Sequence, residues 1–125
     1  MKKIIKTSKA PEAIGPYSQA VETNGILFIS GQIPVDPDTN SIAEGGIEEQ
    51  TKRVLMNIQA ILKDAEYSLN DVVKCTCYMK NLGDFQLMNK IYAEFFADNP
   101  PARATFEVAR LPKDVLIEID AIAAK

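Results

Sequence analysis

The chain has 125 residues, 46% of them hydrophobic, and its 14 basic and 17 acidic side chains give a net charge of -3. This length fits one domain, residues 1–125, whose core needs neither disulfides nor a metal. The absence of histidine excludes Ser-His and Cys-His nucleophilic catalysis and histidine-ligated metal sites. Because no run of like charge is present, we expect no nucleic-acid partner.

We expect the first residues to carry no targeting signal. Lys2 and Lys3 are basic, as at the start of a signal peptide, but Lys6 and Lys9 interrupt the apolar run that such a peptide needs. We find no apolar segment long enough to span a bilayer. The expectation is a cytoplasmic protein with no membrane partner.

A β-hairpin is predicted next along the chain. Asn24-Gly25 separates residues 19–23 from residues 26–30. An Asn-Gly pair between two strand-like segments is the strongest short-range signal for a hairpin. The segment 34–40, which contains two prolines, then indicates a surface loop.

Two amphipathic helices are predicted, the first over residues 47–65. Asp84 is the expected N-cap of the second, and residues 99–101 (Asn-Pro-Pro) end it. Apolar residues at helical spacing form one stripe on each helix, as is typical of helices that cover a sheet. The stripes consist of Ile47, Val54, Leu55, Ile58, Ile61 and Leu62 in the first helix, and Phe85, Met88, Tyr92, Phe95 and Phe96 in the second.

A strand is predicted over residues 72–79, between the two helices. Cys75 and Cys77 are two residues apart, so their side chains point the same way in a strand, on the face that we also assign to Val73 and Met79. Their spacing is not that of Cys-x-x-Cys, which argues against a redox or metal-binding pair. We interpret both cysteines as small buried residues.

The chain ends with two predicted strands, residues 103–110 and 115–124, joined by residues 111–114. The order strands, helix, strand, helix, strands predicts an α+β fold, a single mixed sheet of about six strands with both helices on one face. In the last strand, Glu118 and Asp120 share a face with large apolar side chains. A face of this kind favours a subunit interface that encloses small polar pockets.

Four segments of the chain resemble motifs of one known family. They are Ile14–Gln19 (IGPYSQ), Ser30–Pro34 (SGQIP), Pro100–Pro112 (PPARATFEVARLP) and Ile117–Ile119 (IEI). Together, and in this order, they make the chain similar to the RidA/YjgF family of enamine/imine deaminases over nearly its whole length. The resemblance implies a chorismate mutase-like homotrimer with active sites in the clefts between subunits.

The same resemblance implies an activity. The expected enzyme needs no cofactor and no metal. It hydrolyses reactive 2-enamino and 2-imino acids, such as 2-aminoacrylate and 2-iminobutanoate, to 2-keto acids and ammonia. Its role is then to remove a reactive by-product before that by-product damages other enzymes.

Arg103 and Glu118 are the main candidates for catalytic residues. An arginine fork suits bidentate binding of a small organic acid, although the residues alone favour a structural ion pair or two unrelated surface charges. The resemblance implies that Arg103 binds the substrate carboxylate. It also implies that Glu118 positions a water molecule and accepts its proton.

The resemblance implies a third catalytic residue, Tyr17, and four substrate-binding residues, Ser30, Gly31, Asn89 and Thr105. Tyr17 follows a Gly-Pro turn that could aim its phenol at a ligand, although such a tyrosine is more often a packed aromatic. Gly31 fits either close approach to a ligand or an ordinary bulge, and Asn89 fits either a site residue or a solvated helix position. Many family members have cysteine where this chain has Thr105, so we expect a ligand contact there through the main chain.

Two other functions are considered. A non-catalytic trimer acting as a sensor or regulator of small carboxylates would use Arg103 but would have no need for Glu118. A ribonuclease or translation inhibitor, as reported for some family members, fits poorly with an acidic chain that has no histidine and no basic stripe.

Overall fold

Strands and helices follow one another in the predicted order in the computed structural model, which describes residues 1–125. The strands are β1 (Lys3–Ile5), β2 (Ala20–Thr23), β3 (Ile26–Gln32), β4 (Val35–Asp36), β5 (Ser41–Ile42), β6 (Val72–Met79), β7 (Ala102–Glu107) and β8 (Ile117–Ala124). The helices are α1 (Ile47–Asp64) and α2 (Phe85–Phe96). No pattern in the sequence indicated β1 or the small β4–β5 pair; β4 lies inside the predicted surface loop and β5 directly follows it.

Six strands form one mixed sheet in the order β1-β2-β3-β8-β6-β7. All neighbours are antiparallel except β6 and β7, which are parallel and are connected through α2. The α+β prediction, with both helices on one face, is therefore confirmed. The last two strands are consecutive in the sequence but are not neighbours, because β6 lies between them.

The hairpin prediction is confirmed by β2 and β3. Asn24 and Gly25 both have positive φ, 51° and 76°, as a tight two-residue turn between twisted strands requires. Residue 25 must also be small, because a Cβ there would lie 2.6 Å from the carbonyl oxygen of Lys125.

Both helix predictions are confirmed with small changes at the ends. The first turn of α1 is stabilised by Glu49, whose Oε1 accepts a hydrogen bond from the Gly46 N–H at 2.8 Å. Asp84 occupies the N-cap position of α2, but its side chain makes no capping hydrogen bond. Helix α2 ends at Phe96, before the Pro100-Pro101 pair.

The core lies between the helices and one face of the sheet, where 24 buried hydrophobic residues form one cluster. Cys75 and Cys77 belong to it, and burial raises their pKa values to about 11 and about 12. Both thiols therefore stay protonated and unreactive near neutral pH. The assignment of Val73 to this face was wrong: Val73 is 49% exposed, because an irregularity between Val72 and Lys74 shifts the register against β8 and buries Val72 instead.

The other face of the sheet, here called the open face, has no helix packed on it. Large apolar side chains are exposed on it, namely Ile4, Ile26, Phe28 and Phe106. Tyr78, Glu118 and Asp120 form a polar centre among them. Neither helix of the protein has the length and apolar character needed to cross a membrane.

Candidate functional site

Arg103 is held in a fixed position on the helix-covered side of the sheet. It pairs in register with the buried Cys75, so it points towards α2. Its Nη1 donates a hydrogen bond to Asn89 Oδ1 at 2.7 Å. The guanidinium carbon lies 4.6 Å from the ring centroid of Tyr92 and 5.4 Å from that of Phe85, within range of cation–π attraction. Asn89 is therefore an arginine-positioning residue, and the solvated-helix alternative is wrong.

Thr105 lies beside Arg103, on the same side of β7. We call Arg103, Asn89 and Thr105, with the Phe85 and Tyr92 rings, the arginine half-site. The hydroxyls of Thr105 and Tyr92 are both buried without a hydrogen-bond partner. Strand β7 is the last strand of the sheet, so alternate N–H and C=O groups along it point away from the sheet and are free for a ligand.

Glu118 is on β8 and points to the open face. It lies against Gly31 so closely that a Cβ at residue 31 would be 1.9 Å from Glu118 Oε2. Burial, followed by the charge of Asp120, raises the pKa of Glu118 above its usual range. A carboxylate with a raised pKa is a stronger proton acceptor near neutral pH.

Ser30 and Gly31 form a bulge in β3. Ile29 pairs with Ala121 and Gln32 with Ile119, so these two residues together oppose the single residue Asp120. The Ser30 hydroxyl donates to the Ser18 carbonyl oxygen at 2.6 Å. Ser30 thus ties the bulge to the loop that carries Tyr17.

Tyr17 is 53% exposed, and its hydroxyl accepts a hydrogen bond from the Ile14 N–H at 3.4 Å. A groove of about 600 Å³ opens beside it, lined in part by Glu12 and Ser18. We call Glu118, Gly31, Ser30 and Tyr17 the carboxylate half-site. The packed-aromatic alternative does not describe Tyr17, because half of its side chain is exposed and its ring lines the groove.

Gln19 is a structural residue of this half-site that the sequence reasoning missed. It is buried, and its Nε2 donates to the carbonyl oxygens of Thr7, Ala10 and Pro11 at 3.1, 3.3 and 2.7 Å. Its Oε1 accepts from the Thr7 N–H at 2.7 Å. One side chain therefore holds the segment from Thr7 to Pro11 against the start of β2. The signal for it was a polar side chain at the start of the predicted strand, residues 19–23.

Arg103 and Glu118 do not form a pair within one chain. Arg103 is in register with the buried Cys75, whereas Glu118 is in register with Tyr78 on the open face. The sheet therefore separates the two half-sites. The ion-pair interpretation is wrong, and one copy of the chain cannot bring both groups to the same ligand.

Sequence comparison identifies close relatives over the whole chain. Residues 7–125 match the family model described as endoribonuclease L-PSP. A RutC family protein of Pyrococcus horikoshii is 58% identical over 125 residues, covering 100% of this chain and 99% of the relative. The mouse 2-iminobutanoate/2-iminopropanoate deaminase is 44% identical, covering 100% and 93%. A Lactococcus lactis protein described by name as a regulator, AldR, is 51% identical, covering 97% and 96%.

Solved structures share the fold closely. A Thermotoga maritima protein, named for an endoribonuclease, superposes with a TM-score of 0.98 at 51% identity, covering 100% of this chain and 98% of that one. E. coli TdcF with bound serine gives 0.94 at 44% identity, covering 98% of both chains. The fold is thus that of the L-PSP and YjgF proteins, two helices on a mixed six-stranded sheet. The chain belongs to the RidA/YjgF family.

Proposed function

We propose that this protein is a cofactor-independent deaminase that hydrolyses 2-enamino and 2-imino acids to 2-keto acids and ammonia. The observation that carries the proposal is the arginine half-site: a guanidinium fixed by Asn89 and two aromatic rings beside an edge strand suits a small carboxylate. The names of two relatives support this substrate class. One is an imine deaminase, and another was solved with bound serine.

The active site in this proposal lies between two copies of the chain in a homotrimer. Each copy carries the two half-sites on opposite sides of its sheet, so a second copy must supply the missing half. The exposed apolar side chains of the open face, such as Phe28 and Phe106, provide a surface for this contact. The polar centre around Glu118 then lies at the subunit interface.

The reaction needs few groups. Arg103 binds the substrate carboxylate and fixes the position of the neighbouring C=N carbon. The enamine takes up a proton at carbon and loses one from nitrogen, which gives the imine. Glu118 accepts a proton from water as the water oxygen bonds to that carbon, and the imine nitrogen takes up a proton to give a carbinolamine. The nitrogen then gains a further proton, the C–N bond breaks, ammonia leaves, and the hydroxyl loses its proton to form the 2-keto acid.

The activity is tested with a threonine or serine dehydratase as the source of imine, following imine loss with and without the protein. Arg103→Ala removes two charge-assisted hydrogen bonds, each worth about 1.5 to 3 kcal/mol, so we expect kcat/KM to fall by roughly two to four decades. Arg103→Lys keeps the charge without the fork and should recover only part of the loss. Arg110→Ala, at an exposed arginine, is the matched control. Full activity of an assembled Arg103→Ala protein would place the active site elsewhere.

The shared site is tested by mixing two inactive variants. Light scattering should report about three chain masses for the native protein. When Arg103→Ala and Glu118→Gln subunits are unfolded together and reassembled in equal amounts, about a quarter of the sites combine an intact Arg103 with an intact Glu118. We therefore expect about a quarter of the native activity. If reassembled mixtures stay as inactive as the parents, the half-sites do not meet between subunits.

The second candidate function, a sensor of small carboxylates, is favoured by the regulator among the relatives. The two candidates differ in what they require of Glu118. Binding of a 2-keto acid to Glu118→Gln, measured by calorimetry, should survive in both cases, so the rate of imine loss is the measurement that separates them. A native protein that binds the 2-keto acid but does not accelerate imine loss would favour the sensor.

A further inference from the structure

Two residues next to Glu118 on the open face have no part in the mechanism above. Tyr78 lies directly opposite Glu118 on β6. Asp120 is two residues further along β8 and therefore on the same face as Glu118. The Tyr78 hydroxyl donates a hydrogen bond to Asp120 Oδ2 at 2.9 Å. This bond holds the Asp120 carboxylate beside that of Glu118.

Few other charges face Glu118. Strand β3 presents Gly31 and Ser30, which have no charge, and β8 itself presents Asp120. Glu12 and Lys113 line the small cavity beside Gly31. On β6 the titratable groups are Tyr78, opposite Glu118, and Lys74, which pairs with Ile122 beyond Asp120. The helices pack on the other side of the sheet, and Arg103 is there too. Among the charges of one copy, Asp120 is the one that acts on Glu118; in the proposed trimer, Arg103 of a neighbouring copy faces the same ligand.

We propose that Tyr78 and Asp120 form a positioning dyad that sets the pH at which Glu118 takes up its proton. The inference rests on the proposed function, in which Glu118 is the proton acceptor. The Asp120 charge disfavours a second charge on Glu118, and the Tyr78 hydroxyl prevents Asp120 from turning away into solvent. Two adjacent carboxylates thereby take different roles. The raised pKa of Glu118, caused first by burial and then by Asp120, agrees with this arrangement.

The dyad is tested by titrating the Glu118 carboxyl with carbon NMR in the whole assembled protein. The Glu118 resonance is assigned by its loss in Glu118→Gln. Asp120→Asn removes the neighbouring charge and should move the Glu118 midpoint to lower pH. Tyr78→Phe removes only the hydroxyl that holds Asp120, so it should move the Glu118 midpoint to lower pH by a smaller amount. Asp38→Asn, at an exposed aspartate, should leave it unchanged.

The same variants are then compared by pH–rate profile. In Asp120→Asn, the acidic limb of kcat/KM should move to lower pH together with the NMR midpoint. A Glu118 midpoint that is the same in the native protein, Asp120→Asn and Tyr78→Phe would overturn the dyad. If Asp120→Asn fails to assemble, the milder Tyr78→Phe decides alone. A native protein without imine hydrolysis would contradict the proposed function, while the NMR midpoints would still decide whether Asp120 controls Glu118.

Discussion

Gly31→Ala places one methyl group inside the carboxylate half-site. The new Cβ would lie 1.9 Å from Glu118 Oε2, 2.8 Å from Cδ and 3.2 Å from Cγ. Gly31 is not among the residues with positive φ, so the main chain accepts alanine without strain. The substitution therefore acts on the Glu118 side chain.

The size of the effect follows from these distances. Carbon and oxygen atoms that are not bonded repel strongly below roughly 3 Å, so the carboxylate must move by about 1 Å. Because the carboxylate ends a flexible side chain, a shift of this kind costs only about 0.5 to 1.5 kcal/mol of stability. A misplacement of about 1 Å at a reacting group can nevertheless reduce a rate by about 100-fold. We expect a large loss of activity with a small loss of stability.

The coupled dehydratase assay and thermal unfolding measure the two effects on the same preparation. Gly46→Ala is the matched control, because a Cβ there would meet nothing closer than Glu49 Oε1 at 4.0 Å. The control should keep its activity. If Gly31→Ala hydrolyses imine at the native rate, the observed position of Glu118 is not the catalytic one, and our account of its close contact with Gly31 is refuted.

Substitutions at two residues, Glu118 and Thr105, test the half-sites separately. Burial and Asp120 raise the pKa of Glu118, so this group's contribution to stability falls as the pH rises through its folded pKa. Glu118→Gln should then stabilise the protein against urea at pH 7 and have much less effect at pH 4. Equal effects at the two pH values would contradict a raised pKa of Glu118. Thr105→Val removes a buried hydroxyl without a partner and should stabilise the protein by about 1 kcal/mol or more. Imine hydrolysis by Thr105→Val and Thr105→Ser should stay within a few-fold, and a large loss in Thr105→Val alone would show that the hydroxyl itself contacts substrate.

Local patterns in the sequence were sufficient to predict most of the fold. The Asn24-Gly25 turn and the apolar stripes of the two helices depend on neighbouring residues only, and they appear in the structure as predicted. Strand β1 is three residues long and β4 only two, too short to show a period. The order of the strands in the sheet could not be predicted either. Strand β6 lies between β7 and β8 through contacts between residues that are distant in the sequence.

The site residues could be named from the family resemblance, but their faces could not be assigned. The alternation of side chains along β7 places Arg103 and Thr105 on the same face of the strand. It does not indicate which side of the sheet that face covers. That side is decided by the parallel register with β6, where an irregularity near Val73 already interrupts the alternation. The separation of Arg103 from Glu118 therefore became visible only in the structure.

The bulge in β3 is where the fold and the carboxylate half-site depend on each other. An extra residue there lets Gln32 pair with Ile119 while Ser30 and Gly31 both remain opposite Asp120. Without a side chain at Gly31, Glu118 can pack against the backbone, and the Ser30 hydroxyl binds the loop of Tyr17. The sequence left a bulge glycine and a ligand-site glycine as alternatives. In the structure Gly31 is a bulge glycine, and Glu118 occupies the space that a side chain at residue 31 would fill.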